Sequence, residues 1–184
     1  MKKIAISAVL AIATLSAMAD SVFLEHQSAT NTDGSAGQVS IVMGVKHNIN
    51  DNFAVDTYFT NTQTENTNAL GTRLEVGATG TYPVAGVNLY TRVALGNKFS
   101  NTADYTYYSI EPGVKIPVGE KFTVSISDRF RRAVEEDLHY DPTHTMRYGV
   151  SYAVTKNDTV GVRYDQLRGT ASQNITSVNF THNF

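Results

Sequence analysis

Three arginines in four residues, Arg129-Phe130-Arg131-Arg132, form the densest basic run in the chain. A guanidinium is planar and permanently charged, and its fork of N–H donors fits a carboxylate or phosphate bidentately. The chemistry such a run could do is anion recognition. A second cluster lies in Leu138-His139-Tyr140-Asp141-Pro142-Thr143-His144. Imidazoles and a carboxylate this close could serve a nucleophilic serine, but no hydrolase signature accompanies them, and a solvated polar loop is the better reading. Glu135, Glu136, Asp137 and Asp141 offer oxygen ligands of the kind Ca²⁺ takes, without the spacing of a calcium-binding loop. No catalytic residue, metal site or cofactor is inferred.

The elements that must position the arginines are strands. Counting back from the C-terminus, Phe184, His182, Phe180, Val178 and Thr176 share one face, while Asn183, Thr181, Asn179 and Ser177 share the other. That is the period-two alternation of a β-strand. It recurs about ten times, over residues 21–29, 38–47, 53–62, 72–82, 87–98, 105–116, 122–132, 145–154, 159–168 and 175–184. Longer connections alternate with tight turns, and no helical period interrupts the series. The expected fold is all-β, an antiparallel up-and-down transmembrane barrel of about ten strands, with eight or twelve as alternatives. An even strand number puts both termini on the short-turn, periplasmic side.

The N-terminus reads as an export signal. Lys2 and Lys3 precede an apolar stretch from Ile4 to about Leu15, and Ala17-Met18-Ala19 is a small-x-small cleavage site. The stretch falls short of the ~20 residues a membrane-spanning helix needs. Residues 1–19 are therefore expected to be removed and residues 20–184 to form the barrel. The chain has no cysteine, which excludes a disulfide framework and thiolate metal sites. A formal net charge of −2 argues against nucleic acid as a partner.

Outward residues are apolar: Val39, Ile41, Met43 and Val45, or Leu74, Val76 and Ala78, for example. Aromatics such as Phe53, Tyr82, Phe122 and Phe180 fall towards strand ends, as interface girdles require. A soluble barrel or sandwich would instead bury this face. Inward alternation collects Glu25, Lys46, Asp56, Arg73, Glu75, Arg92, Lys98, Glu111, Lys115, Arg129, Arg131, Arg147, Arg163 and Asp165, nine basic residues against five acidic. The loops lean acidic. Charged walls in a narrow low-dielectric tube concentrate counter-ions, so the lumen should favour anions. Gly44, Gly77, Gly96, Gly113, Gly149 and Gly161 also face inward, leaving room for long side chains opposite. Ten strands nevertheless lie near the size that side chains alone can fill, and mutual neutralisation of Arg and Glu across the tube would plug it.

The cleavage site and the terminal Asn179-Phe180-Thr181-His182-Asn183-Phe184 resemble the small outer-membrane β-barrel proteins of Gram-negative bacteria. That resemblance implies that Phe180 and Phe184 form the signal read by the barrel-assembly machinery. His182 departs from the aromatic or aliphatic residue usual there. It implies contact with outer-membrane lipid and lipopolysaccharide. The arginine run and the basic lumen are similar in kind to the oligogalacturonate-specific and related acidic-sugar porins, although this chain has fewer strands than is usual among them. That likeness implies a monomer lined by basic residues that guide small anionic solutes. Arg132 at the outer rim could instead meet lipopolysaccharide phosphates.

Two residues strain the pattern. Pro112 lies mid-strand and faces outward, which predicts a bulge. Asp128 also faces outward, so either a bulge resets the register near Ser127 or Asp128 sits at the outer interface, where charge costs less. A reset would move Arg129 and Arg131 out of the lumen. The function expected is a narrow anion-preferring channel, with a closed barrel acting as an anchor or presenting its loops as the alternative, and a barrel enzyme third.

Overall fold

The computed structural model describes residues 19–65, 70–100, 104–135, 142–169 and 172–184. Ten strands follow one another: β1 (Ser21–Asn31), β2 (Gln38–Asn48), β3 (Phe53–Thr64), β4 (Leu70–Val84), β5 (Val87–Ser100), β6 (Tyr105–Val118), β7 (Phe122–Ala133), β8 (Thr143–Ala153), β9 (Asp158–Gly169) and β10 (Gln173–Asn183). Each pairs antiparallel with its sequence neighbours, and β1 closes the barrel on β10. The alternatives of eight or twelve strands fall away. Most strands run a residue or two beyond the sequence bounds, β4 from Leu70 to Val84, because ladder bonds persist after the alternation of side chains has faded. β10 ends at Asn183, and Phe184 is tied on by its N–H to the Asp20 carbonyl at 2.9 Å.

The interior decides the solvent. Among the described residues, sixteen buried side chains are polar or charged and seven are hydrophobic, while twenty-seven large hydrophobic residues, all Leu, Ile, Val, Phe or Tyr, are exposed. A water-soluble barrel would bury the second set. A barrel in lipid turns it outward. The tightest connection is Ala85-Gly86, both at positive φ (48° and 84°), joining Val84 to its pair Val87. Two left-handed residues give a two-residue hairpin a twist that suits its strands. The short connections share the end that holds both termini, which is thereby the periplasmic end by the usual asymmetry of such barrels.

The bulge expected at Pro112 is absent. Ile110 pairs with Phe130 and Gly113 with Ser127, the same register on either side. Only the pairs through Glu111 and Pro112 drop out of the β6–β7 ladder, whereas Thr91 on β5 still pairs with Pro112. Both missing pairs depend on one bond, from the N–H that proline lacks to the Asp128 carbonyl. The register reset near Ser127 is likewise absent, so Asp128 faces outward, and Arg129 and Arg131 stay inside. The loop reading of His144 is also corrected. It is the second residue of β8, on the outward face, its ring 5.0 Å from Phe130. Glu136, Asp137, His139 and Asp141 lie outside the described residues. Restoring the missing donor with Pro112→Val should raise the unfolding free energy by about 1 kcal/mol, seen as a higher urea midpoint in lipid bilayers.

Candidate functional site in the barrel lumen

Strand parity aims the basic and acidic side chains at one another. A cavity of about 320 Å³ runs along the lumen, lined towards the periplasmic end by Phe23, Lys46 and Lys115 and towards the outer end by Arg131, Leu167 and Ile175. Arg73, Arg92, Arg129, Arg131, Arg147 and Arg163 line it, with Glu25, Asp56, Glu75, Glu111 and Asp165. Lys98 shares the inward face of β5 with Arg92 and places its ammonium 5.2 Å from the Tyr105 ring.

Across the middle runs a belt of ion pairs, and most of its bonds skip at least one strand. Arg92 on β5 reaches over β4 to Asp56 on β3, its Nε 3.0 Å from both carboxylate oxygens, and also engages Glu75. Arg129 on β7 spans β5 and β6 to donate to Glu75 Oε2 at 2.9 Å. The Tyr107 hydroxyl donates to that same oxygen at 3.0 Å. On the opposite wall Arg147 donates to Glu111 at 2.7 Å and lies 3.7 Å from Asp165. Arg163 donates to Asp165 and to Glu25, both at 2.8 Å. Ser127 adds a bond to Glu111 and Gln27 one to Glu25 Oε1, while Glu25 Oε2 is buried without a hydrogen-bond partner among the described residues. All five acids are buried, at 1–7% exposure, and each has an arginine partner.

Four arginines thus pair with five carboxylates, which leaves the belt itself one negative charge. The surplus of positive charge comes from the other inward cations: Arg73, Lys98 and Arg131 above the belt, Lys46 and Lys115 below it. No ion pair to a lumenal acid involves Arg73, Lys46 or Lys115 among the described residues. Outside the membrane span, at the outer rim, hydrogen bonds from the Ser35 hydroxyl and N–H hold the Asp33 carboxyl below its ordinary value.

The glycines do what the alternation implies. A Cβ at Gly77 would meet the Arg92 guanidinium, one at Gly96 the Tyr107 ring and one at Gly113 the Tyr90 ring. Those rings are lumenal residues that charge alone does not reveal. Tyr58, Tyr90 and Tyr107 carry Arg92, Lys115 and Arg131 on their faces at 4.8, 5.2 and 5.3 Å. Period-two counting would have found them, since the Tyr107-Tyr108 doublet must send one ring inward. Of the two residues expected to form the assembly signal, Phe180 is outward on β10 and Phe184 lies just beyond that strand, 71% exposed.

No family model matches the chain, and no curated protein does. Solved structures do. The NanC porin superposes with a TM-score of 0.54 at 11% identity, covering 88% of this chain and 100% of that one. An outer-membrane channel from Pseudomonas putida F1 gives 0.51 at 11% identity, over 89% and 94% of the two chains. The KdgM porin in complex with disordered oligogalacturonate superposes more loosely, at 0.49 and 12% identity, over 89% and 99%. At such identities the likeness is one of architecture: this chain is a closed ten-stranded barrel similar in fold to outer-membrane porins and channels.

Proposed function

We propose that the protein is exported, loses residues 1–19, and works as a monomer in the outer membrane as a narrow, anion-preferring channel for small solutes. The observation that carries the reading is the ratio of lumenal charge, nine cations to five acids, around an axial cavity. In this reading the ion-pair belt is the constriction, and the cations on either side of it draw carboxylated or other anionic solutes to its two faces. Low-dielectric walls make that surplus count for more than it would in open water. Arginine suits a carboxylate because it can release one carboxylate and take another with the same bidentate geometry. The reading assigns no reaction and no cofactor to the protein. Its terminal strand, with Phe180 and Phe184, would be the segment the barrel-assembly machinery recognises.

One observation favours a second reading. Arg129 lies across the lumen to reach Glu75, as a side chain plugging the tube would. A barrel sealed by its belt would be an anchor whose outer loops carry the function. Planar-bilayer recording of the refolded mature chain, with reversal potentials under a salt gradient, separates the two. Steady openings whose reversal potential reports anion preference are the expected result. Silence from correctly folded barrels would reject the channel and turn attention to the loops.

A further inference from the structure

The strands hold eleven lysines and arginines, of which nine point into the lumen and two point outward. The two outward ones are neighbours. Arg132 is the last residue but one of β7, Arg168 the last but one of β9, and β8 runs between them. His144, the second residue of β8, pairs in register with Arg168 and with Phe130. The three side chains therefore stand side by side on the membrane face, at the long-loop end. An outward cation costs several kcal/mol at the bilayer midplane but about 0–1 near the interface, so these two sit at the depth where phosphates replace acyl chains.

Their surroundings fit a lipid. The rings of Tyr108, which pairs with Arg132, and of Phe130 and His144, two residues membrane-ward, form a row with centroids 6.2 Å and 5.0 Å apart. Deeper still lies Asp128, on the same face of β7 and 3.8 Å from His144 Nδ1, with half-exposed side chains on both. The acid orients the imidazole from below and leaves the rim end to the arginines. An ion from bulk water would have no use for the ring row. An acylated headgroup would lay its apolar part against the rings and its phosphate between the arginines, whose Cα atoms stand two strands and two residues apart, or about 12 Å.

We propose that Arg132, Arg168 and His144 form a binding site for the phosphate of an outer-leaflet lipid headgroup, on the outer surface of the barrel over β7–β9. The site is independent of whether the lumen conducts. Native mass spectrometry of the refolded mature protein tests it, using an acylated disaccharide carrying two phosphates, the same lipid stripped of phosphate, and inorganic phosphate as competitor. Wild type is expected to retain the phosphorylated lipid at least about tenfold better than the stripped one, and each of Arg132→Ala and Arg168→Ala to lose about tenfold. The double variant Lys121→Ala/Lys156→Ala, at the opposite rim, is the control and should bind as wild type does. Folding of each variant is checked by its heat-modifiable gel migration, and either single arginine variant that folds suffices for the test. Equal retention of the two lipids would overturn the proposal, as would unchanged binding in the arginine variants. Displacement of the lipid by equimolar inorganic phosphate would also overturn it, by making the site one for a free anion.

Discussion

Glu75→Ala is expected to lower the unfolding free energy of the barrel by about 3 kcal/mol, the lower part of the range for breaking a buried ion pair. Glu75 receives arginines from two directions, Arg92 from the neighbouring strand and Arg129 from across the tube, together with the Tyr107 hydroxyl. Removing its carboxylate takes an acceptor from all three and leaves one charge, that of Arg129, unpaired. Arg92 keeps Asp56, whereas Arg129 loses its one ion-pair partner among the described residues and is only 13% exposed. The low end of the range applies because the axial cavity lets Arg129 turn towards solvent. Urea titration in bilayers gives the loss directly. Glu75→Gln, which still accepts the bond from Tyr107, should recover part of it. A loss below about 1 kcal/mol would mean that the belt is wet enough to behave like a surface salt bridge.

The fold was legible because a barrel wall writes itself at the shortest possible period. Each strand needs only its own alternation, and loops and turns separate one run from the next. Ten strands could be counted without knowledge of any contact between them. The bulge expected at Pro112 and the two placements left open for Asp128 have the same cause. Read within one strand each looks like an error to be absorbed by a bulge, whereas the ladder shows them opposite each other, so that one missing donor and one spare carbonyl coincide and the register runs straight through. His144 stands among loop-forming residues in the sequence, but β8 begins one residue before it, and its ring packs at a tilt against Phe130 on the outward face.

For the lumen, parity was sufficient to say which side chains enter and insufficient to say which of them meet. Arg129 and Glu75 are 54 residues apart and three strands apart around the wall. No local pattern encodes such a pairing, which follows from the shear of the closed barrel and the reach of a long side chain. The consequence is chemical. Arg92, Arg129, Arg147 and Arg163 look like the natural wall residues of an anion channel, yet each is held by carboxylate. Arg73 and Lys115 are less conspicuous in sequence and have no such partner among the described residues.

That division leads to a prediction in which width and charge separate. Arg73 lies above the belt on β4, and Lys115 lies below it on β6 with its ammonium against Tyr90. Neither bridges the lumen. The Arg73→Ala/Lys115→Ala variant should therefore conduct at close to wild-type magnitude while losing anion preference. A unit charge about 5 Å from a permeating ion contributes about 0.8 kcal/mol even at the dielectric of water, favourable to an anion and unfavourable to a cation, so each removal should change the anion-to-cation permeability ratio by about sixteenfold, and by more where the walls lower the dielectric. Arg129→Ala is the counterpart. It removes the side chain that crosses the tube, and Glu75 keeps Arg92 and Tyr107, so single-channel conductance should rise. Reversal potentials and unitary currents from the same recordings measure both. If Arg73→Ala/Lys115→Ala left selectivity untouched, the surplus charge would be screened before an ion could feel it, and the anion preference of the lumen would have to be abandoned.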